Sequence, residues 1–287
     1  MNVRTRRLYF PGSMEPHTEY DLSPIQMHYL RHVLRLSPDH PLQVFDDTGR
    51  EYQASISLLR TKNMRIRTGE PVVTPPRESP LHIWLYPALT RGVKMDWIIE
   101  KATELGVRGI RPVTTCRSPV RLPVEREQAR IAHWNGIAQS ATAQSGRTEI
   151  PVCTSPLSWG ECLTLDTGND ARFMLCPDAG ASLDPRAPSS LTIHLLVGPE
   201  GGFTQEEVNQ AIEAGFVAMR LGPRTLRTET APLVALSVLQ ALWGDLASPG
   251  SLIKPKPDSR PITRPLWHQN RGSMDFRLLS GPCIKTP

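Results

Sequence analysis

The chain has 287 residues, of which 39% are hydrophobic and 21% charged, and its formal net charge is +5 at pH 7. This length and composition are typical of a globular protein with two domains, and no stretch reaches the ~20 apolar residues of a membrane span. The basic start lacks the apolar segment of a secretory signal. Five scattered cysteines include no C-x-x-C pair, so we expect neither metal nor disulfides, in a reducing cytoplasm.

Residues 1–74 have the pattern of a small β-rich domain. The apolar run at residues 42–45 ends in the turn signal Asp46-Asp47-Thr48-Gly49. Apolar residues then alternate with polar ones from Tyr52 to Leu58, and again around Met64 and Ile66. Short alternating strands separated by turns predict a small barrel. The Pro-rich residues 75–80 have the composition of a linker to a second domain.

Residues 75–245 alternate strand and helix signals, which predicts an α/β domain with a parallel sheet and helices on both of its faces. Strands are expected at residues 81–85, 109–113, 172–176, 191–197 and 217–221. Helices are expected to end at Gly106, to span residues 125–143, to begin with the capping-box pattern Thr204-Gln205-Glu206-Glu207, and to span residues 231–242. The last of these is almost wholly apolar and should therefore be buried.

Residues 246–287 differ in character from the rest of the chain. They are rich in proline and hold seven Lys or Arg against two acidic residues, which accounts for the whole net charge. This composition predicts a disordered tail, and the alternative is a basic arm that contacts RNA. Because the body of the chain is formally neutral, an RNA site on it must be a local patch.

Two Gly/Pro-rich strings carry the strongest functional signal: LLVGPEGGFT at residues 195–204 and LGPRTLRTETA at residues 221–231. Each combines an apolar run, a turn and a helix start, which is the type of junction where α/β proteins bind cofactors. Neither string contains the G-x-x-x-x-G-K-[ST] loop or the G-x-G-x-x-G fingerprint. The pair therefore indicates one cofactor held largely by backbone atoms, and it argues against a nucleoside triphosphate or a dinucleotide.

Together the two strings resemble the C-terminal half of the ribosomal RNA uridine-N3 methyltransferases, which belong to the SPOUT group of knotted methyltransferases. The resemblance also covers RGVKMD at residues 91–96, KATELG at residues 101–106 and QSGR at residues 144–147. Near the start it covers RLYF at residues 7–10 and VLR at residues 33–35. It runs from the first residues to Asp245 and does not extend into the tail.

The resemblance implies a PUA-like RNA-binding barrel followed by a SPOUT domain with a deep trefoil knot. It also implies a homodimer, S-adenosylmethionine as cofactor and 16S ribosomal RNA within the small ribosomal subunit as substrate. The cofactor contacts that it implies, mostly through the backbone, fall on Leu196, Gly198, Glu200, Gly201, Gly202, Leu221, Leu226, Thr228, Thr230 and Ala231.

Methylation of uracil N3 removes the imide proton, so the site needs a group that stabilises negative charge or accepts a proton. Arg227 and Glu229 lie in the second string and are the first candidates for these roles. The structural alternative is that Thr228 caps the following helix and Glu229 complements its dipole. Arg7, beside Tyr9 and Phe10, is a third catalytic candidate.

RNA-binding candidates are Arg7, Arg31, Arg35, Gln144 and Arg147, because a guanidinium near aromatic rings or beside a turn often holds RNA. For Arg7, an edge strand with Tyr9 or Phe10 in the barrel core is the alternative. The family usually has Glu before QSGR, where this chain has Ala143. This departure keeps open an RNA-binding homologue without catalysis, and a SPOUT enzyme acting on another base or ribose is the other alternative.

Overall fold

The computed structural model describes residues 6–33, 41–59, 63–73, 75, 77–180, 188 and 190–246. Arg35 and the basic tail after Leu246 lie outside the described residues. The N-terminal elements are β1 (Arg6–Phe10), β2 (Glu19–Asp21), α1 (Pro24–His28), a π-helical turn (Tyr29–Val33), β3 (Leu42–Asp46), β4 (Glu51–Leu59) and β5 (Met64–Pro71).

The N-terminal strands form one sheet in the order β1-β3-β4-β5-β2, in which β1 and β3 are parallel and the other pairs are antiparallel. Leu8, Val44, Tyr52, Met64 and Ile66 are buried in its core. The alternating pattern thus predicted β3, β4 and β5 correctly. Ser23 and Gln26 form a capping box at the start of α1, a signal that the sequence pattern contains but that was not predicted.

The second part of the chain alternates strands and helices. Its elements are β6 (His82–Pro87), α2 (Gly92–Glu104), β7 (Gly109–Ile110), β8 (Val113–Thr114), α3 (Val124–Ser145), β9 (Val152–Cys153), β10 (Leu157–Ser158), α4 (Trp159–Thr164), β11 (Ala171–Leu175), β12 (Thr192–Val197), α5 (Gln205–Glu213), β13 (Val217–Met219) and α6 (Thr230–Trp243).

Six of these strands form a parallel sheet in the order β13-β11-β12-β6-β7-β9. Helices α2, α3 and α6 pack on one face, where Ile98, Trp134 and Leu236 join the core of the sheet. On the opposite face, Cys162 of α4 and Ala211 of α5 pack around strand residues. The predicted α/β domain with a parallel sheet and helices on both faces is confirmed.

The segment predicted as one strand at residues 109–113 is divided into two. β7 pairs within the large sheet, whereas β8 leaves it to pair with β10 in a separate two-stranded sheet. Pro112 lies between them, and proline has no backbone N–H to continue a ladder. The break directs residues 115–122 toward the turn after β12.

The N-terminal sheet is joined to the second part by a buried guanidinium. Arg7 of β1 forms an ion pair with Glu51 of β4, and its Nη1 donates to the carbonyl oxygens of Thr142, Ala143 and Arg147 at 3.2, 3.3 and 2.8 Å. The side chains of Arg7 and Glu51 are only 7% and 2% exposed. Burial lowers the pKa of Arg7, against the opposing effect of Glu51. Arg7 therefore caps the C-terminal end of α3, where a cation also complements the helix dipole.

Arg147, whose carbonyl oxygen accepts from Arg7, is itself buried and fully engaged by its neighbours. Its Nε and Nη2 lie 2.9 and 2.7 Å from Glu78 Oε2, and its Nη1 donates to Thr103 O at 2.8 Å. The predictions that Arg7 acts in catalysis or RNA binding and that Arg147 binds RNA are therefore corrected, since groups of this chain surround both guanidinium groups. Ala143 is also buried here, and its carbonyl oxygen accepts from Arg7.

Candidate active site

Both Gly/Pro strings lie at one edge of the parallel sheet. The first follows the carboxyl end of β12 at Val197, and the second follows the carboxyl end of β13 at Met219. Only β11 separates these two strands, and β6, which leads into α2, lies on the other side of β12. Carboxyl ends of parallel strands share an edge, so the two turns and the start of α2 meet where open α/β sheets bind ligands.

The first turn is fixed by its own hydrogen bonds and by the loop after β8. Gly202 has φ +67°, and its N–H donates to Pro199 O at 2.9 Å. Arg117 Nη1 donates to Gly201 O at 2.7 Å, and Cys116 N donates to Glu207 Oε1 at 2.7 Å. The loop after β8 therefore holds the first turn in place. The space beside Gly202 is open, since a Cβ built on it would meet no atom within 4 Å.

The start of α5 follows directly and confirms the capping box. Thr204 Oγ1 accepts from Glu207 N, and Glu207 Oε2 accepts from Thr204 N at 2.8 Å. Because Glu207 also binds Cys116 N through its other oxygen, one buried carboxylate ties the helix start to the loop after β8. Gly215, with φ +89°, follows the end of α5 as the sequence predicted.

The second turn does not have the cap that the structural alternative for Thr228 required. α6 begins with Glu229 as its N-cap, which makes no side-chain capping bond, so Thr228 does not cap the helix. Thr228 is instead buried. The N–H groups of Thr230 and Ala231 donate to Arg227 O at 2.8 and 2.9 Å, which closes the turn before the helix.

The predicted cofactor residues occupy both turns and the adjacent elements. Leu196 is fully buried in β12, Leu221 and Ala231 pack at the margin of the core, and Leu226 is half-buried. Gly198 approaches the Phe203 ring so closely that a Cβ on it would lie 3.0 Å from a ring carbon. The two strings thus meet in space, and their contacts with a cofactor stay a prediction.

Lys94, in the first turn of α2, links the two strings through their carboxylates. Its Nζ lies 2.8 Å from Glu200 Oε1 and 3.4 Å from Glu229 Oε2. The hydrogen bond to Glu200 raises the pKa of Lys94. Partial burial alone would raise the pKa of Glu200, but the Lys94 ammonium and nearby groups, Arg91 among them, lower it overall. Sequence reasoning missed this role because Glu200 and Glu229 follow Lys94 by more than 100 residues.

Arginine side chains surround this edge of the sheet. Arg91, Arg117, Arg224 and Arg227 are exposed, and the described residues provide none of them with a carboxylate within ion-pair distance. Arg91 precedes α2 and Arg227 precedes α6, so both cations oppose a helix dipole. This placement weakens the helix ends and favours a role in binding an anion or a developing negative charge.

The other predicted RNA-binding residues are spread over the molecule. Arg31 is half-buried in the π-helical turn, and Gln144 is exposed near the end of α3. No group of three His, Cys, Asp or Glu residues with metal-binding geometry occurs within the described ranges. None of the described helices is long and apolar enough to span a membrane.

We expect Gly202→Val to weaken binding of S-adenosylmethionine about 10- to 100-fold, because a β-branched residue at positive φ costs about 1–3 kcal/mol and displaces the turn. Isothermal titration calorimetry measures the effect. Gly215→Val is the matched control, since Gly215 also has positive φ and open space for a Cβ but lies at the far end of α5. Equal cofactor affinity in the two variants would show that the turn is structural only.

Comparison with known proteins places the chain in a family. Residues 77–240 match the family model of the RNA methyltransferase domain. The ribosomal RNA small subunit methyltransferase E of Buchnera aphidicola subsp. Acyrthosiphon pisum is 31% identical over 244 residues, which are 85% of this chain and 96% of that protein. The protein of the same name from Bacillus subtilis is 28% identical over 77% of this chain and 89% of its own length.

Two solved structures are also similar. A putative methyltransferase of Legionella pneumophila, in complex with the bound cofactor S-adenosylmethionine, has a TM-score of 0.79 at 35% identity, and the match covers 85% of this chain and 100% of that one. A ribosomal RNA small subunit methyltransferase E of Neisseria gonorrhoeae, bound to S-adenosylmethionine, has a TM-score of 0.78 at 36% identity with the same coverage. The chain therefore belongs to the RNA methyltransferase family, in its ribosomal RNA small subunit methyltransferase E group.

Proposed function

We propose that this protein transfers a methyl group from S-adenosylmethionine to N3 of a uridine in 16S ribosomal RNA of the small ribosomal subunit. It is an RNA methyltransferase by family, and similar structures contain S-adenosylmethionine. The observation that carries the proposal is that the two Gly/Pro turns meet at the carboxyl edge of the sheet. Arg227 and Glu229 lie there, at the end of the second turn and directly before α6. A cytoplasmic location, where ribosomes are assembled, belongs to the same proposal.

The cofactor fits the character of this edge. The proposed cofactor residues offer backbone groups together with a few apolar and polar side chains, and they form no phosphate-binding loop: Leu196, Gly198, Glu200, Gly201, Gly202, Leu221, Leu226, Thr228, Thr230 and Ala231. S-adenosylmethionine has an adenosine and a sulfonium-bearing amino-acid part but no phosphate, so it suits a lining without a phosphate-binding loop. When bound, S-adenosylmethionine supplies a methyl group on a sulfonium, which already has a good leaving group. The protein then mainly has to hold donor and acceptor in contact.

The acceptor nitrogen, N3 of uracil, must also lose its proton. The N3 lone pair forms the new N–C bond, the C–S bond breaks with its electron pair left on sulfur, and the N3 proton must leave. We assign stabilisation of the negative charge on the uracil oxygens to the Arg227 guanidinium. We assign acceptance of the proton to the Glu229 carboxylate.

Contacts with RNA are proposed for both parts of the chain. Arg91, Arg117 and Arg224 surround the proposed site, and their exposed guanidinium groups suit phosphate groups. Arg31, Gln144 and the N-terminal sheet, proposed to be a PUA-like barrel, would contact ribosomal RNA farther from the target base. A trefoil knot through the two turns is likewise part of the proposal.

The test of the function is nucleotide mapping. Small-subunit RNA from cells lacking the protein should lose one N3-methyluridine, and adding the purified enzyme with S-adenosylmethionine should restore it. Mass spectrometry of nuclease fragments measures both. A different methylated nucleoside, or a methylated ribose, would overturn the assignment to N3.

We also expect assembled small subunits to be methylated at least about tenfold faster than free 16S ribosomal RNA. The net charge lies in the tail, so long-range attraction of the body to naked RNA is weak and recognition depends on shape. Initial rates on the two substrates measure the preference. Equal rates on a short free hairpin would contradict it.

A homodimer is the expected assembly. The residues of α6 that are only half-buried include Leu233, Val234, Val238 and Leu242, which leaves an apolar surface on a helix beside the proposed site. A second copy would cover that surface. Sedimentation velocity at micromolar concentration should give a dimer, and a monomer throughout would contradict the expectation.

A further inference from the structure

Lys94 has no role in the reaction as proposed above. Its ammonium contacts both Gly/Pro turns, through Glu200 of the first and Glu229 of the second. No acidic residue lies in the first turn of α2 to offset the helix dipole. A lysine in that turn opposes the dipole, so its place is better explained by the two carboxylates than by the stability of α2.

The two carboxylates are held in different ways. Glu200 Oε1 receives a close hydrogen bond from Lys94 at 2.8 Å, whereas Glu229 Oε2 lies 3.4 Å away, outside hydrogen-bond geometry. Glu229 is also the more buried of the two, with 19% of its side chain exposed against 40% for Glu200. The buried Oε2 of Glu229 thus faces Lys94 without receiving a hydrogen bond, so the carboxylate keeps acceptor positions that the described residues do not occupy.

We infer that Lys94 is a positioning residue that holds Glu229 as the acceptor of the uracil N3 proton, with Glu200 anchoring the lysine. This rests on the proposed function. The charges balance through the step: the sulfonium is positive, and Lys94 with its two carboxylates has a net charge of minus one. After transfer the thioether is neutral, Glu229 has gained the N3 proton, and Lys94 with Glu200 forms a neutral pair.

The competing explanation is that Lys94 only clasps the two turns around the cofactor. The two roles differ in what they change. A clasp would act on cofactor affinity, whereas a positioning residue acts on the rate when cofactor and RNA are saturating. A residue that acts through Glu229 must also lose its effect once Glu229 is replaced.

The experiment uses the full-length protein and assembled small subunits from cells that lack it. Single-turnover rates at saturating substrate and cofactor, and dissociation constants for S-adenosylmethionine, are measured for the wild type, Lys94→Met, Lys94→Arg, Glu229→Gln and the double variant Lys94→Met/Glu229→Gln. Lys101→Met is the matched control, because Lys101 lies on the same helix and also binds two carboxylates, Glu100 and Glu104 at 2.7 and 2.8 Å.

We expect Lys94→Met to lower the rate about 10- to 100-fold and Glu229→Gln to lower it about 100-fold or more, which is the range of a placed general base. The cofactor dissociation constant should change by less than about threefold in both, since the interaction matters in the transition state. Lys94→Arg should recover most of the rate because it keeps the cation. The double variant should be no slower than Glu229→Gln, and Lys101→Met should match the wild type.

Three results would overturn the inference. A wild-type rate for Lys94→Met at saturating cofactor, with a weakened cofactor affinity, would make Lys94 a clasp. A double variant slower than Glu229→Gln by the full factor of Lys94→Met would mean that the two residues act independently. A wild-type product other than N3-methyluridine, read by mass spectrometry in the same reactions, would instead refute the proposed function, and the inference with it.

Discussion

Replacing Arg227 with alanine is expected to lower kcat about 10²- to 10³-fold, the loss typical of one preorganised group that stabilises a developing oxyanion. Arg227 is exposed beside the start of α6 and has no carboxylate partner among the described residues. Its charge is therefore available to uracil oxygens as the imide proton leaves. Because that charge appears mainly in the transition state, the dissociation constant for S-adenosylmethionine should stay within about threefold of the wild-type value. Steady-state kinetics on small subunits, together with calorimetry, separates the two quantities.

Arg224→Ala provides the comparison, since Arg224 is an exposed arginine three residues before Arg227 in the same loop. It should raise KM for the subunit and weaken its salt dependence, with little change in kcat, as expected for a phosphate contact. Equal losses in kcat and cofactor affinity for Arg227→Ala would move this residue into the cofactor site. A kcat effect as large for Arg224→Ala would show that the loop acts through RNA binding alone.

Replacing Arg7 with methionine should reduce the free energy of unfolding by about 3–5 kcal/mol, the usual cost of leaving one member of a buried ion pair without its partner. Glu51 would remain 2% exposed without its cation, and three carbonyl oxygens at the end of α3 would lose their donor. Urea unfolding followed by circular dichroism measures the loss. The loss should also weaken the attachment of the N-terminal sheet to the methyltransferase part, because Arg7 joins the two.

The control for Arg7 is Arg65→Met. Arg65 also pairs with a carboxylate, Asp21 at 2.6 Å, but both side chains are largely exposed, so we expect a much smaller loss of stability than for Arg7→Met. If Arg7→Met is equally mild and the folded variant instead loses turnover, the hypothesis of a catalytic Arg7 regains support. A large loss of stability with unchanged turnover per folded molecule would agree with the structural role.

The sequence predicted features that depend on neighbours along the chain. The Thr204–Glu207 capping box, the helix end before Gly215 and the alternating strands β4 and β5 follow from local periodicity and hydrogen bonding. Pro112 shows where local patterns were insufficient, because Ile110 and Val113 on its two sides were taken as parts of one strand. The alternative that Thr228 caps α6 is ruled out, because the helix begins one residue later, after Glu229.

Long-range side-chain contacts were beyond the sequence. Arg7 beside aromatic residues is compatible with RNA binding or with a buried domain contact, and only the position of the α3 carbonyl groups distinguishes them. Lys94 belongs to a segment that the family resemblance had already marked, yet nothing in its neighbours indicates that Glu200 and Glu229 converge on it. Which cation meets which carboxylate is decided by the order of strands in the sheet.

That strand order also has a consequence for synthesis on the ribosome. β6 pairs along its whole length with β12, so His82 meets Thr192 and Pro87 meets Val197. At about 5–20 residues per second, the partner of β6 emerges roughly 5–20 s after β6 itself. Until then one edge of β6 is an open, apolar template for wrong pairing, although β7 and β9 are already available on the other side. Nascent chains in which β6 but not yet Thr192 has emerged from the ribosome should therefore bind holdase chaperones, and chains in which Val197 has emerged should release them.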